Sequence, residues 1–336
     1  VAPGRPRVDV VALGGTIAMS GSPAGGVVPH LTGADLVAAA PGLDAVADVH
    51  VEQLRQVPSS ALTFADLHAT AVRITELLAD GADGVVVTQG TDTVEETAYF
   101  LDLVLPGPVP VVVTGAMRPP DAAGADGPAN LLAAVQVAAS PEARGSGVLV
   151  VFDERIHAAA RVRKVRTSAP GAFASPDTGP LGWVVEGKVH LLARPVARLT
   201  VPRFDAAALA EVQVGLVPVP VGDDGRLVAA VGQLGYDGLV LESMGAGHVP
   251  PHLVAPLAAL AAEIPVVLSS RAGAGPIHTS TYGFPGAGAD LVAAGLIPAG
   301  WHDARKARVL LTLLLTADTP RDAVAEWFTS PSGAAR

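Results

Sequence analysis

The chain has 336 residues, half of them hydrophobic but only 4% aromatic, with no cysteine and a formal net charge of -10. These values exclude disulfides, thiolate metal sites and cysteine nucleophiles, and they argue against nucleic-acid binding, which concentrates Lys and Arg; the nearest thing to a basic cluster is Arg161, Arg163, Lys164 and Arg166. The length allows two domains, apolar runs such as Val309 to Thr316 fall short of the about 20 residues that cross a membrane, and a mean hydropathy of +0.43 favours an oligomer that covers apolar surface.

The opening segment VAPGRPRVDVV runs straight into GGTIA without a separate apolar stretch and small-residue cleavage site. No signal peptide is visible, so a cytoplasmic protein is expected, although a mature secreted chain would read the same. Val8–Leu13 is the first predicted strand, and VALGGTIA breaks off at Gly14 and Gly15 just before Thr16, where a strand hands over to a turn. Ser20 to Pro29 (SGSPAGGVVP) carries few packing side chains and follows Thr16 directly, which makes it a candidate lid or a plain surface loop. VPSSAL then places Ser59 and Ser60 ahead of a predicted helix, Phe64–Leu78.

The strand Gly84–Thr88 leads into a second threonine segment, TQGTDTVEET, and a helix over Val94–Leu105. Thr93 and Glu96 fit a capping box. Thr91 and Asp92 then lie just ahead of a helix N-terminus, where free amides and the helix dipole favour negative charge. A strand at Val109–Thr114, a helix at Ala129–Ala139 and a strand at Val148–Phe152 follow, and Trp183 to Leu192 reads as a hairpin turning at Gly187. ARPVARLTVPRFDAAAL has no clean periodicity, so residues 193–211 are expected to link a domain at 1–192 to a second at 212–336. The second domain restarts the alternation with strands Val212–Val219, Gly238–Glu242 and Pro265–Ser269.

This order predicts an α/β protein of two α/β domains: a larger N-terminal one with a mainly parallel sheet flanked by helices, and a smaller C-terminal one. Ligand sites in such sheets gather at the carboxyl ends of the strands, where both threonine segments begin. A hydroxyl nucleophile needs a turn that exposes it, amide donors for an oxyanion and a titratable neighbour. Thr16, Thr91 and Asp92 could supply those parts. Each also has a structural reading: Thr16 and Ser59 as turn residues, Asp92 as an N-cap, Lys164 as a solvated cation.

In order along nearly the whole chain, VALGGTIA, VPSSAL, TQGTDT, VVVTGAMRP, DGPANL, Lys164, TGPLGW, YDGLV, LSSR and KARVLL resemble the L-asparaginase/glutaminase family, whose threonine enzymes hydrolyse side-chain amides. The resemblance implies that Thr16 is the nucleophile and that Thr91, Asp92 and Lys164 handle protons together. It also implies that Asp92 receives the substrate α-ammonium and Ser59 its α-carboxylate, with Ser60, Gly90 and Ala116 completing the substrate site. A lysine is a base only when neutral, and an adjacent aspartate stabilises its ammonium form, so Lys164 is expected to exchange a proton within a hydrogen-bonded network. L-asparagine is the implied substrate, no metal or cofactor is implied, and a homotetramer built as a dimer of dimers is the implied assembly.

The chain departs from the family in several places. Ser60 stands where many bacterial members carry glutamine, Gln89 where some have histidine, and His248 where bacterial members often place an asparagine near the site. No tyrosine follows Thr16 in the lid region; the tyrosines are Tyr99, Tyr236 and Tyr282. Tyr282 lies near the region from which relatives reach into a neighbouring subunit, so it either enters the site across an interface or packs beside Phe284. The rival functions are glutamine or D-asparagine hydrolysis by the same chemistry, a noncatalytic amino-acid binding protein on the same fold, and an amidase subunit of a tRNA-dependent amidotransferase. The last would normally need extra nucleic-acid or partner-binding sequence, and none is apparent.

Overall fold

The computed structural model describes residues 4–21, 27–29 and 32–329, in two compact units that meet between Val196 and Ala197 in the sequence. In chain order the strands of the first unit are β1 (Arg7–Ala12), β2 (Met19–Gly21), β3 (Val27–Pro29), β4 (Asp48–Gln53), β5 (Gly84–Thr88), β6 (Val111–Thr114), β7 (Val148–Phe152), β8 (Arg155–Ala158), β9 (Arg163–Lys164), β10 (Phe173–Ala174), β11 (Gly182–Val185) and β12 (Lys188–Leu191). Its helices are α1 (Gly33–Ala38), α2 (Leu43–Val46), α3 (Phe64–Ala79), α4 (Val94–Val104) and α5 (Gly127–Ala138).

The main sheet of the described residues runs β12-β11-β8-β7-β6-β5-β1-β4. Pairing is parallel from β4 through β7 and antiparallel from β7 through β12. Every residue of β5, β6 and β7 is buried, which is why these segments read as unbroken apolar runs; both faces of a covered parallel sheet need apolar side chains. Pro110 has no N–H for the ladder, so β6 starts one residue later while the Pro110 carbonyl still accepts from Val85 N–H at 3.1 Å. Leu131, Ala134, Val135 and Ala138 of α5 share one core with Val86, Val112 and Leu149. At the far edge Glu186 and Gly187 take positive φ, 51° and 73°, and close the β11–β12 hairpin as expected.

One expectation fails at the start of α4. Thr93 occupies the N-cap position but its side chain makes no capping bond. Tertiary partners take it instead, as its hydroxyl donates to the Ser59 carbonyl at 3.3 Å and accepts from Gln89 Nε2 at 3.2 Å. Capping boxes do form at Thr32 with Asp35 and at Thr63 with Asp66, opening α1 and α3. Residues 22–26 of the candidate lid lie outside the described residues; its flanks, β2 and β3, pair antiparallel with Met19 opposite Pro29.

Among the described residues the second unit has four parallel strands in sequence order, β13 (Val214–Pro218), β14 (Gly238–Ser243), β15 (Val266–Ser270) and β16 (Ile297–Pro298). Helices α6 (Ala208–Glu211), α7 (Arg226–Gln233), α8 (Val254–Glu263), α9 (Gly288–Ala293), α10 (Ala304–Thr316) and α11 (Arg321–Thr329) accompany them. The apolar run from Val309 is the buried body of α10, whose N-cap Asp303 accepts from the amides of Arg305 and Lys306. Among the described residues no helix is long and apolar enough to cross a membrane.

His157 on β8 is buried, hydrogen-bonded through Nδ1 to Ser175 Oγ at 2.9 Å, while Nε2 finds no partner among the described residues. Burial, and then the charge of Arg155, push its pKa down to about 4 from the usual 6.5. The unfolded chain therefore takes up the proton first as pH falls, so this contribution is complete above about pH 6.5 and declines towards pH 4, by about 3 kcal/mol in all. In urea unfolding, wild type is expected to lose about 2 kcal/mol more than His157→Gln between pH 7.5 and pH 5. Equal losses in the two proteins would place the acid sensitivity elsewhere.

Candidate active site

Loops leaving the carboxyl ends of the neighbouring strands β4, β1 and β5 are laced together by backbone hydrogen bonds. Leu13 N–H donates to the Thr88 carbonyl at 2.8 Å, and Leu54 and Val57 N–H donate to the Ala12 and Leu13 carbonyls at 3.0 and 3.1 Å. The chain then turns through Gly14 and Gly15 with φ of 104° and 87°. A Cβ on Gly15 would lie 1.9 Å from Gly90 N, and one on Gly14 2.7 Å from the Val57 backbone, so neither position admits a side chain. Thr16, half-buried, opens a short 3-10 turn directly after this contact.

Gly90 is confined less severely, by a side chain, because a Cβ there would meet Ser59 Oγ at 2.7 Å. Ser59 is buried, and its Oγ accepts from Asp92 N–H at 3.3 Å. Its own hydroxyl proton can therefore be offered to an anion. Ser60, by contrast, is exposed. Gln89 is buried and donates from Nε2 to the Gly90 carbonyl at 3.2 Å and to Thr93.

Lys164 reaches this cluster from the β9–β10 ribbon. Its Nζ donates to Thr91 Oγ1 at 2.9 Å and to Asp92 Oδ1 at 2.6 Å. The Lys164 side chain is only 16% exposed whereas that of Asp92 is 70% exposed, so the lysine is held inside and the carboxylate presents an open side to an arriving cation. The Thr91 hydroxyl is buried, accepts from the amine and keeps its own proton for another acceptor. An ammonium in this position would stabilise negative charge on Thr91 Oγ1.

A fourth loop follows β6. Asp126 accepts from Met117 N–H at 3.0 Å and Arg118 N–H at 2.9 Å, and Asn130 Nδ2 donates to the Gly115 carbonyl and to Asp126, both at 3.0 Å. The DGPANL segment is thus the bracket of this loop, a role not read from its sequence. Ala116 is buried and its Cβ faces Gly127, so only its backbone can serve a ligand. Glu95 was also missed: it is 4% exposed, and its Oε2 accepts from Lys164 N–H at 2.7 Å. The available signal was an acid on the stripe Glu95, Ala98, Tyr99 and Asp102, which is buried throughout.

His248 and Tyr282 both belong to the second unit. Their rings meet edge to face with centroids 4.9 Å apart, Phe284 lies 5.0 Å from His248, and His278 stacks on Tyr282 at 6.0 Å. Tyr282 and Phe284 are 39% and 48% exposed. Tyr99 is buried in α4. Among the described residues no group of three or more His, Asp and Glu side chains is arranged to hold a metal ion.

The family description "Asparaginase, N-terminal" matches residues 7–197, and "Glutaminase/Asparaginase C-terminal domain" matches residues 213–328. The chain belongs to the asparaginase family. This asparaginase-family chain is 43% identical over 329 residues to a probable L-asparaginase of Deinococcus radiodurans, spanning 96% of this chain and 97% of that relative. It is 36% identical over 322 residues to a glutaminase-asparaginase of Pseudomonas fluorescens, spanning 92% and 86%. Its fold matches the crystal structure of a probable cytoplasmic L-asparaginase from Campylobacter jejuni with a TM-score of 0.86 at 35% identity, over 96% of this chain and 99% of that one.

The Gly15–Gly90 contact is directly testable. Gly15→Ala places a side chain into backbone at positive φ, and is expected to cost about 2–4 kcal/mol in chemical unfolding. A loss below about 0.5 kcal/mol, the range of ordinary surface substitutions, would show that the two loops separate freely.

Proposed function

We propose that this asparaginase-family protein hydrolyses the side-chain amide of L-asparagine to L-aspartate and ammonia through a threonyl acyl-enzyme. The observation that carries the proposal is the Lys164–Thr91–Asp92 hydrogen-bonded group, set on the loop whose Gly90 abuts the Gly15–Thr16 turn. Thr16 Oγ1 forms a bond to the amide carbon, and the threonine proton ends on the departing nitrogen, which leaves as ammonia. Water then adds to the acyl group, releases aspartate and restores the Thr16 hydroxyl. Thr91, backed by Lys164, passes protons in these steps, and backbone amides at the glycine turns stabilise the oxyanion.

Substrate orientation follows from charge. The open carboxylate of Asp92 receives the α-ammonium, and Ser59 Oγ donates to the α-carboxylate. Gly90, Ser60 and the Ala116 backbone complete the pocket. Residues 1–192 would carry the nucleophile and substrate motifs, with 193–211 as linker and 212–336 as second domain. The unit boundary after Val196 and the family matches to 7–197 and 213–328 support this division. Four copies would assemble as a dimer of dimers, and Tyr282 with His248 would enter a site from a neighbouring copy; the exposure of Tyr282 supports this. The strands β2 and β3 flanking residues 22–26 would serve as the base of a lid, and the compartment would be the cytoplasm.

Glutaminase activity by the same chemistry is the second reading, favoured by the relative named as a glutaminase-asparaginase. Ammonia release from asparagine and glutamine in parallel decides between them: asparagine is expected to have the larger kcat/KM, and a larger value for glutamine would reverse the assignment. Thr16→Ala is expected to lower kcat at least about a thousandfold with unfolding unchanged. A folded wild-type protein that binds asparagine without releasing ammonia would be a binding protein. Tyr282→Phe is expected to lower turnover; undiminished turnover and affinity would remove Tyr282 from the site.

A further inference from the structure

The ribbon that carries Lys164 is too short to hold itself. Its ladder consists of Lys164 opposite Phe173 and Arg163 opposite Ala174, extended by Val165 N–H donating to the Ala172 carbonyl at 2.8 Å. A two-stranded ribbon of even full length is marginal in water. Phe173 is buried and stacks on Phe152 of β7 with centroids 4.4 Å apart. That apolar contact sets how deep the ribbon sits but has little direction. Lys164 Nζ must nonetheless meet Thr91 and Asp92 within hydrogen-bond tolerance.

Two polar contacts, one part-buried and one buried, reach the ribbon from outside its ladder. Glu95, in the first turn of α4, accepts from Lys164 N–H at 2.7 Å. A buried carboxylate is costly unless hydrogen-bonded, and the start of a helix favours its charge. Thr91, Asp92 and Glu95 lie within five residues at one helix start, so the main-chain end and the amine end of Lys164 are both fastened to a single rigid element. At the other strand, Ser175 follows β10 directly and is hydrogen-bonded to His157 of β8, both side chains buried. We infer that Glu95 and the His157–Ser175 pair are positioning residues that pin the β9–β10 ribbon so that Lys164 Nζ reaches Thr91 and Asp92, an inference that rests on the proposed part of Lys164 in turnover.

A double-mutant cycle separates positioning from general support. Glu95→Gln keeps an acceptor oxygen and is expected to hold kcat within about threefold, whereas Glu95→Leu is expected to lower kcat at least about tenfold with a smaller change in KM. In a Lys164→Ala background the Glu95→Leu change should cost less than about twofold, because there is no amine left to aim. Equal losses in both backgrounds, or native kcat in Glu95→Leu, overturn the inference. If Glu95→Leu does not fold, Ser175→Ala carries the same comparison. Native turnover in Lys164→Ala would refute the lysine's role rather than the pinning, which hydrogen exchange over residues 162–175 then reads by itself. Exchange should quicken in Glu95→Leu and Ser175→Ala but not in Glu95→Gln, and unchanged exchange in both overturns the pinning.

Discussion

Gly15 and Gly90 bring the backbones of two strand-end loops so close that a single Cβ on Gly15 would fall 1.9 Å from the Gly90 nitrogen. The parallel pairing of β1 with β5, Ala12 opposite Thr88, delivers both loops to the same end of the sheet. From that contact the surroundings follow in sequence. Gly90 leaves room for Ser59 Oγ, Ser59 accepts from the Asp92 amide, and Thr93 turns from capping its helix to hold the Ser59 carbonyl. The turn that carries Thr16 and the loop that carries the lysine-bonded Thr91 are thereby in backbone contact, and the residues around that contact are mostly glycine and short side chains. Such a region has few rotamers to order when a substrate binds.

Buried carboxylates fasten this arrangement to the sheet. Asp102 accepts from Val148 N–H at 2.8 Å, Asp126 from the amides of Met117 and Arg118, and Glu95 from the amide of Lys164. Each accepts from one or more backbone N–H groups, with charge-assisted bonds stronger than neutral ones. Asp92 differs because its partner is a side-chain amine and most of its surface faces solvent. It is the carboxylate of this group left available for a ligand.

The fold was legible because its central strands are covered on both faces and so read as unbroken apolar runs. Gly84–Thr88 reads as a buried strand from composition alone and occupies the predicted span. Local rules failed where long-range partners compete: the T-x-x-E signal at Thr93 lost to Ser59, a residue from another loop. The threonine turns stood out because glycine interrupts an apolar run at each. Glu95 and the Asp126–Asn130 bracket did not, since their partners are backbone amides far along the chain and no spacing rule reports them. Nor does composition reveal that Lys164 sits in a two-residue strand, because the ribbon is held by Phe152, Glu95 and His157 rather than by its own propensity.

The proposed site lies where the loops after β1, β4 and β5 converge, with Asp92 and Ser59 proposed to orient an amino acid. A crystal structure of the protein with L-aspartate bound measures this most directly. The predicted density has the α-ammonium on Asp92, the α-carboxylate on Ser59 Oγ and the side-chain carboxylate between Thr16 and Thr91. Aspartate bound with its α-ammonium away from Asp92, or at a site that does not include Thr16, would contradict the account.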